Sequence, residues 1–266
     1  GCLNDSTASK KPLSEAERTW LIENRDHLRL LYNTDFPPIE HAASNGAFSG
    51  LGADVISLIE QRIGITFLKR STGSWAQHLA ALKSGECAIA PTIIQTKERQ
   101  EYLYFTSPYG RAPVVIITSQ NTKKNVSWND LKGLRVAVVA GYAAEKYVHE
   151  HADGLFEIVT VPNIAQGVHD VSFGKVDALV ENLTVVSYFI NREGLSNLRV
   201  AGNTDYVYEW RIGVSKKYPI LYDIIQKALE SIPPQELEAA QKHWVSPNTP
   251  KTLSPDTIRL LALIAL

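Results

Sequence analysis

The sequence predicts an α/β fold of two lobes, each built on a mixed, mostly parallel sheet flanked by helices. Two observations support this prediction. Short apolar runs alternate with amphipathic stretches of helical spacing along nearly the whole chain, and the alternation forms two series that meet near residue 118. Ligands of such sheets bind beyond the carboxyl ends of the strands, so we expect a site in a cleft between the lobes.

The first series opens with a short helix in "SEAERTWL", where Ser14 and Glu17 have the spacing of a capping box. A second helix, 52–64, carries apolar residues on one face and ends at Gly64. The other predicted elements of this series are a helix at 74–85 and strands at 28–33, 65–69, 87–94 and 114–118.

The second series continues the alternation to the closing helices. Pro233 and Pro234 suit the first turn of the last helix. Strands are predicted at 134–141, 156–161, 176–181, 198–201 and 210–217, and helices at 142–152, 164–174, 184–190, 219–232 and 233–244.

These series define the expected domain organisation. Lobe 1 comprises residues 14–117 and 207–246, and lobe 2 comprises residues 118–206. The polar segment 1–13 is predicted to be disordered. The tail 247–266 ends in "TIRLLALIAL", which is too short to span a bilayer. It is either a terminal amphipathic helix or the beginning of a membrane helix.

Composition excludes several classes of function. The net charge is -1, with 27 basic and 28 acidic residues, whereas nucleic-acid-binding domains are usually basic. Two cysteines without a CxxC motif fit neither a zinc site nor a disulfide framework. We expect Cys87 to be a small buried residue. Cys2 is either the lipidated cysteine of an exported lipoprotein or an artificial residue.

Catalytic and cofactor motifs are absent from the sequence. It contains no GxSxG, GxGxxG or GxxxxGK[ST] motif. His149 and His151 are two residues apart, so on a helix their side chains diverge and do not share a metal. The sequence therefore predicts no catalytic residue, no metal and no cofactor.

One arginine suits ligand binding. Arg99, in "TKERQEYLYFTSPY", follows an apolar strand and lies on a loop beyond its carboxyl end. The planar guanidinium binds a carboxylate with two parallel hydrogen bonds, and the hydroxyls of Thr92 and Thr96 would complement it. The alternative is an exposed arginine paired with Glu98 or Glu101.

This segment resembles the "TxxRxxxxxFSxPY" signature of type II periplasmic amino-acid-binding proteins, which have a Venus flytrap fold. The resemblance extends over residues 14–245, in the family's order, through "LRLLYNTDFPPIEHAASNGAFSGLGADVISLIEQRIG", "LKGLRVAVVAGYAAEKYV" and "GKVDALVENLTVVSYFI". "LSEAERTWLIENRDHLRL" resembles the lead-in of the Venus flytrap sensing domains of Bvg-type sensor kinases. The resemblance therefore implies an extracytoplasmic binding domain.

Position by position, the resemblance also implies a site. Arg99 matches the arginine that binds the ligand's carboxylate, and Thr92 matches a strand-end donor to that carboxylate. Phe36 and Trp75 match the two aromatic residues that line the pocket, although core packing is an alternative for both. Asn33 stands where many amino-acid binders have an aspartate.

The other half of the implied site departs from the family. Tyr142, Ala143 and Ala144 match a helix N-terminus whose free N–H groups bind the carboxylate. Asn182 replaces the aspartate that binds the ligand's α-ammonium, and Glu181 compensates unless strand alternation turns it away. The resemblance therefore implies an amino acid, a small carboxylate without an amino group, or no small ligand at all.

Three functions remain open. The first is the periplasmic ligand-sensing domain of a sensor histidine kinase, tethered to the inner membrane by a flanking helix or a lipid anchor and forming a homodimer in the full-length sensor. The second is the substrate-binding protein of an amino-acid ABC transporter. The third is an enzyme related to cyclohexadienyl dehydratase, for which Glu181 is the nearest acid or base. In the first two, the chain binds a small-molecule carboxylate and is not an enzyme.

Overall fold

The computed structural model describes residues 13–152 and 154–245. Apart from Leu13, the segment predicted to be disordered lies outside these ranges, as do Cys2 and the apolar run 257–266. Within the described ranges, no helix has both the length and the apolarity needed to cross a bilayer.

Helices and strands alternate through most of the described chain. The helices are α1 (Glu15–Asn24), α2 (Leu51–Ile63), α3 (Trp75–Ser84), α4 (Ala143–Ala152), α5 (Ile164–Ser172), α6 (Leu183–Glu193), α7 (Pro219–Glu230) and α8 (Pro234–Trp244). The strands are β1 (Arg29–Leu31), β2 (Asp35–Phe36), β3 (Glu40–Ala42), β4 (Phe48–Ser49), β5 (Leu68–Arg70), β6 (Ile89–Ile93), β7 (Leu103–Phe105), β8 (Gly110–Ser119), β9 (Arg135–Val139), β10 (Glu157–Val161), β11 (Ala178–Asn182) and β12 (Leu198–Ser215).

Most strands belong to one mixed sheet in the order β10-β9-β11-β8-β12-β6-β1-β5, with β7 also beside β12. At one end β9, β10 and β11 are parallel, and at the other end β1, β5 and β6 are parallel. The strands between them, β8 and β12, are antiparallel to their neighbours. The predicted α/β class with helices flanking a mixed sheet is confirmed. A small sheet, β2-β3-β4, was not predicted.

The longest strand corrects one prediction. The separate strands predicted at 198–201 and 210–217 are wrong, because β12 runs unbroken from Leu198 to Ser215. Its partner β8 supplies antiparallel hydrogen bonds over most of that length, which holds the polar middle of β12 extended. The predicted lobe boundaries, after residues 117 and 206, fall inside β8 and β12. The division at these positions remains a prediction.

Local signals in the sequence set the ends of helices as expected. The Glu17 N–H donates to Ser14 Oγ at 3.1 Å and the Ser14 N–H donates to Glu17 Oε1 at 2.9 Å, which completes the capping box of α1. Gly64 ends α2 in the left-handed region, at φ 75°.

Side chains of the sheet and of the helices that cover it form the core. Among the largest fully buried side chains are Trp210 and Tyr208 on β12 and Tyr109 just before β8. Each buried side chain of this size contributes about 1.5–3 kcal/mol. Cys87 is buried and free, as expected of a small core residue. Tyr208 and Trp210 also line the cavity described in the next subsection.

Candidate functional site

Arg99 is buried at the end of β6. The strand ends at Ile93, and the chain turns through a short 3₁₀ helix, Arg99–Glu101. Only 5% of the Arg99 side chain is exposed, and it forms no ion pair with Glu98, Glu101 or any other described residue. The alternative of an exposed, paired arginine is therefore wrong. Burial lowers the pKa of Arg99, because it penalises the charged form.

Backbone carbonyls hold the guanidinium group. Nη1 of Arg99 donates to the Ile94 carbonyl oxygen at 2.9 Å, and Nη2 donates to the Gly141 carbonyl oxygen at 3.1 Å. The same Gly141 oxygen accepts a hydrogen bond from Trp75 Nε1 at 3.0 Å. The guanidinium carbon lies 5.5 Å from the centroid of the Trp75 ring, within range of a cation–π interaction. Three separate segments therefore meet at Gly141.

Aromatic rings surround this junction in edge-to-face contacts. Phe36 packs against Tyr142 and Trp210, with ring centroids 5.8 and 5.6 Å apart. Tyr142 also packs against Trp75 at 5.4 Å, and Trp210 against Tyr208 at 5.9 Å. Edge-to-face pairs contribute about 0.5–1.5 kcal/mol beyond the area they bury. The rings therefore form a continuous apolar wall next to a buried cation.

A cavity of about 30 Å³, here called the inner cavity, lies inside this wall. Its lining residues are Asn33, Phe36, Glu40, Trp75, Thr92, Ile93, Ile94, Arg99, Tyr142, Ala143, Tyr208 and Trp210. Seven of the nine predicted site residues are among them. The inner cavity has room for one or two water molecules. A larger ligand requires the surrounding side chains or segments to move apart.

The other two predicted residues, Asn182 and Glu181, end β11 and do not line the inner cavity. Both are fully buried. Asn182 Oδ1 accepts the Val185 N–H at 3.0 Å and so caps α6, while its Nδ2 has no hydrogen-bond partner among the described residues. The ligand-binding roles assigned to all nine residues by resemblance remain predictions.

Glu181 is hydrogen-bonded to Tyr208, which does line the inner cavity. The Tyr208 hydroxyl donates to Glu181 Oε1 at 2.5 Å and accepts the Ala144 N–H at 3.0 Å. One N–H that was expected to be free for a ligand, that of Ala144, is therefore occupied. Burial raises the pKa of Glu181 to about 8, although the hydrogen bond from Tyr208 opposes this shift.

The prediction missed several lining residues. Those with polar side-chain atoms are Glu40, Tyr208 and Trp210. Glu40 is 1% exposed, its Oε2 accepts the Asn33 N–H at 2.7 Å, and its Oε1 has no partner in the described part of the chain. Burial raises its pKa to about 8. A signal for the two aromatic residues exists in "YVYEW", where alternation along a strand places Tyr206, Tyr208 and Trp210 on one face.

A comparison with protein families decides the identity of this fold. The family described as bacterial extracellular solute-binding proteins, family 3, matches residues 28–247. The chain belongs to this family. The match covers both ends of the mixed sheet and every residue that lines the inner cavity.

Relatives of this family 3 domain include sensor proteins. The virulence sensor protein BvgS of Bordetella pertussis is 28% identical over 232 residues, which cover 87% of this chain and 19% of BvgS. The sensor protein EvgS of Escherichia coli is 26% identical over 238 residues, which cover 88% of this chain and 19% of EvgS. The chain therefore spans about a fifth of the length of these relatives.

A solved structure confirms the Venus flytrap fold. The crystal structure of the periplasmic VFT2 domain of Bordetella pertussis BvgS matches with a TM-score of 0.78 and 28% identity. The match covers 88% of this chain and 100% of that domain. The fold and the family inferred from the resemblance are thus confirmed.

The family 3 domain has a second cavity beside the first. This outer cavity has a volume of about 210 Å³ and is lined by Asn33, Thr34, Asp35, Thr72, Gly73, Ser74, Trp75, His78, Tyr142, Pro162 and Asn163. Asn33, Trp75 and Tyr142 line both cavities. Asn33 Nδ2 donates to the Tyr142 hydroxyl at 3.4 Å, a long hydrogen bond. Three side chains are therefore shared by the two cavities, and the hydrogen bond between two of them is long.

Among residues 13–152 and 154–245, no three His, Cys, Asp or Glu side chains are placed to hold a metal ion. His151, from the pair that the sequence drew attention to, forms a hydrogen bond between its Nδ1 and the Tyr147 carbonyl oxygen at 2.8 Å. The chemistry available at the site is therefore that of a buried cation, aromatic rings and neutral carboxyl groups.

Proposed function

We propose that this family 3 domain is the periplasmic ligand-sensing domain of a membrane sensor histidine kinase, and that it binds a small carboxylate at Arg99. The sensor proteins BvgS and EvgS, whose similarity covers most of the chain, support the sensing role. The family's extracellular description supports a periplasmic location. Tethering to the inner membrane is part of the proposal. In this proposal the domain has no catalytic activity of its own.

The observation that carries the proposal is the unpaired charge of Arg99. Its guanidinium group is buried and bonds only neutral carbonyl oxygens. Buried charges are normally paired with an opposite charge, because removing an ion from water is costly. Glu40, which lines the inner cavity, and Glu181, which is bonded to Tyr208, do not supply that charge, since burial raises the pKa of both carboxyl groups to about 8. A ligand carboxylate would supply it.

Ligand binding would act on the contacts around Gly141. Gly141 and Tyr142, in the turn just before α4, contact Arg99, Trp75 and Asn33, which belong to the predicted lobe 1. A ligand that binds one arrangement of the two predicted lobes more tightly shifts the population toward that arrangement. This shift is the proposed signal.

The family description, extracellular solute-binding proteins, is also compatible with a second candidate, the substrate-binding protein of an amino-acid ABC transporter. The full-length gene distinguishes the two, because a kinase region encoded downstream contradicts the transporter role. The position of Glu181 gives no support to the dehydratase alternative, since this carboxyl group does not line the inner cavity.

The test is isothermal titration of a panel of amino acids and organic acids into the wild type, Arg99→Ala and Arg18→Ala. Arg18 lies exposed on α1 and serves as a matched control. We expect Arg99→Ala to weaken the tightest carboxylate about 100-fold, as for the loss of a buried charge partner. Arg18→Ala should bind like the wild type.

A third variant distinguishes weaker binding from loss of folding. Arg99→Lys keeps the charge and removes the planar fork, so we expect it to bind about tenfold more weakly than the wild type while remaining folded. Unchanged affinity of both Arg99 variants for the tightest carboxylate would contradict the proposal. So would a panel in which no carboxylate binds.

A further inference from the structure

We propose that the outer cavity binds a primary ammonium group at the distal end of the same ligand, with Asp35 as its counter-charge. The ligand class is then an ω-amino carboxylate. This inference rests on the proposed function, because it takes the carboxylate to lie at Arg99.

Asp35 is a carboxylate without a partner. It belongs to β2 and is half-buried, and its side chain forms no hydrogen bond or ion pair with another residue of the ranges 13–152 and 154–245. Only its backbone is engaged, through the N–H that donates to Asn33 Oδ1 at 2.9 Å. Burial raises the pKa of Asp35, and the positive charge of Arg192 opposes that shift. A half-buried carboxylate is stabilised when a cation pairs with it.

The lining of the outer cavity favours a cation over an anion. Asp35 is the only charged residue in the lining, because burial lowers the pKa of His78 to about 3 and keeps its ring neutral. Arg192, the cation that acts on Asp35, does not line the cavity and is paired with Glu193 at 2.8 Å. The remaining polar groups are hydroxyls and amides, which solvate an ammonium group through their oxygen atoms.

The outer cavity also has the right size and position. Its volume, about 210 Å³, accommodates several methylene groups and an ammonium, whereas the inner cavity of about 30 Å³ does not. Trp75 and Tyr142 line both cavities, so a methylene chain that leaves the Arg99 end passes along their rings. The long hydrogen bond between Asn33 and Tyr142 is the polar contact that such a chain must displace.

The alternative position for an ammonium group is less suitable. Asn182 lines neither cavity, and its Oδ1 is already used to cap α6. Near Arg99, an α-ammonium would meet Glu40, whose carboxyl group is fully buried with its pKa raised to about 8, whereas Asp35 is only half-buried. The ligand's positive charge is better placed at its far end.

The test compares three five-carbon carboxylates by isothermal titration: 5-aminopentanoate, pentanoate and L-norvaline. The proteins are the wild type, Asp35→Asn, Arg99→Lys and Asp26→Asn, the last an identical change at an exposed position. In the wild type and Asp26→Asn, we expect 5-aminopentanoate to bind about tenfold more tightly than the other two, as for a charge-assisted hydrogen bond. In Asp35→Asn this preference should fall to about twofold or less, with the affinity for pentanoate unchanged.

Two kinds of result overturn the inference. If L-norvaline binds most tightly, or if Asp35→Asn keeps the full preference for 5-aminopentanoate, the distal site is wrong. The proposed function then still stands, provided that Arg99→Lys weakens all three compounds. If none of the three binds to the wild type, the inference is also overturned, and the wider carboxylate panel decides the proposed function separately.

Discussion

The guanidinium group of Arg99 donates a hydrogen bond of 3.1 Å to the carbonyl oxygen of Gly141, which ties the turn after β6 to the start of α4. The same oxygen accepts the indole N–H of Trp75. The Ile94 and Gly141 carbonyl oxygens use two of the five N–H donors of the guanidinium group, so a carboxylate can bind Arg99 through donors that they leave free. A bound carboxylate and the Gly141 carbonyl oxygen would therefore contact the same guanidinium group.

Gly141 should be sensitive to substitution for two separable reasons. Its φ of 76° lies in the left-handed region, and a Cβ there would lie 3.0 Å from Trp75 Cδ1. Gly133 has a similar φ, 74°, but a Cβ there meets no atom within 4 Å. We expect both Gly141→Ala and Gly133→Ala to lower the free energy of unfolding by about 1 kcal/mol through backbone strain.

Gly141→Ala alone should also weaken carboxylate binding, by about tenfold, because Trp75 must shift away from Arg99. Urea unfolding and isothermal titration of the two variants separate the effects. Equal affinities in both variants would show that the contact between Gly141 and Trp75 does not support the site.

Tyr208 should contribute to stability through its hydroxyl group. Tyr208→Phe leaves the Ala144 N–H and the Glu181 carboxyl group without their partner in a buried region. We expect a loss of about 1–3 kcal/mol in the free energy of unfolding, measured by urea denaturation. The control is Tyr104→Phe, whose half-buried hydroxyl forms no hydrogen bond with a described residue and should cost little. Similar losses in the two variants would contradict this role of Tyr208.

Stability should fall with rising pH through Glu181. Burial raises the pKa of this carboxyl group from 4.5 to about 8, so the folded state holds the proton more tightly than the unfolded state. Its contribution is complete below pH 4.5 and is lost as the pH rises to about 8. The slope between these values is at most about 1.4 kcal/mol per pH unit.

Glu181→Gln should remove the part of the slope that Glu181 contributes, so the variant gains stability relative to the wild type between pH 5 and pH 8 in urea denaturation. Glu40, whose pKa burial also raises to about 8, keeps its own part of the slope. Glu193→Gln is the control, because the pKa of Glu193 is shifted in the opposite direction. The hydrogen bond from Arg192 lowers the pKa of Glu193, so its contribution is lost only as the pH falls toward that lower value. The Glu193 variant should therefore keep the wild-type slope. A Glu181→Gln variant with an unchanged slope would show that this group stays ionised in the folded protein.

Local signals in the sequence were sufficient for most helices. Ser14, Glu17 and Gly64 act within a few residues of their own positions, so capping and turn preferences predicted where α1 begins and α2 ends. Arg99 could be selected as a site residue because its motif and the order of the surrounding motifs resemble one family. The sequence did not establish that Arg99 is buried, because segments distant along the chain cover it. That burial decides between a surface charge and a binding group.

Long-range pairing explains what the sequence did not predict. The polar middle of β12 has no strong strand signal, and it is extended because β8 lies beside it. Likewise, Asn182 matches a ligand-binding position in the family, yet its amide oxygen caps α6. Glu40 and Tyr208 reach the inner cavity only through the packing of β3 and β12 against other elements. No pattern within a short stretch of sequence fixes such contacts.

The central claim is that Arg99 binds the carboxylate of a small ligand. A crystal structure of the domain with the tightest carboxylate from the panel measures this directly, as the distance from each carboxylate oxygen to the guanidinium nitrogens of Arg99. We predict two hydrogen bonds of about 2.7–2.9 Å from guanidinium N–H groups of Arg99 to the two carboxylate oxygens. A ligand whose carboxylate oxygens lie beyond hydrogen-bond distance of the Arg99 guanidinium nitrogens would contradict the claim.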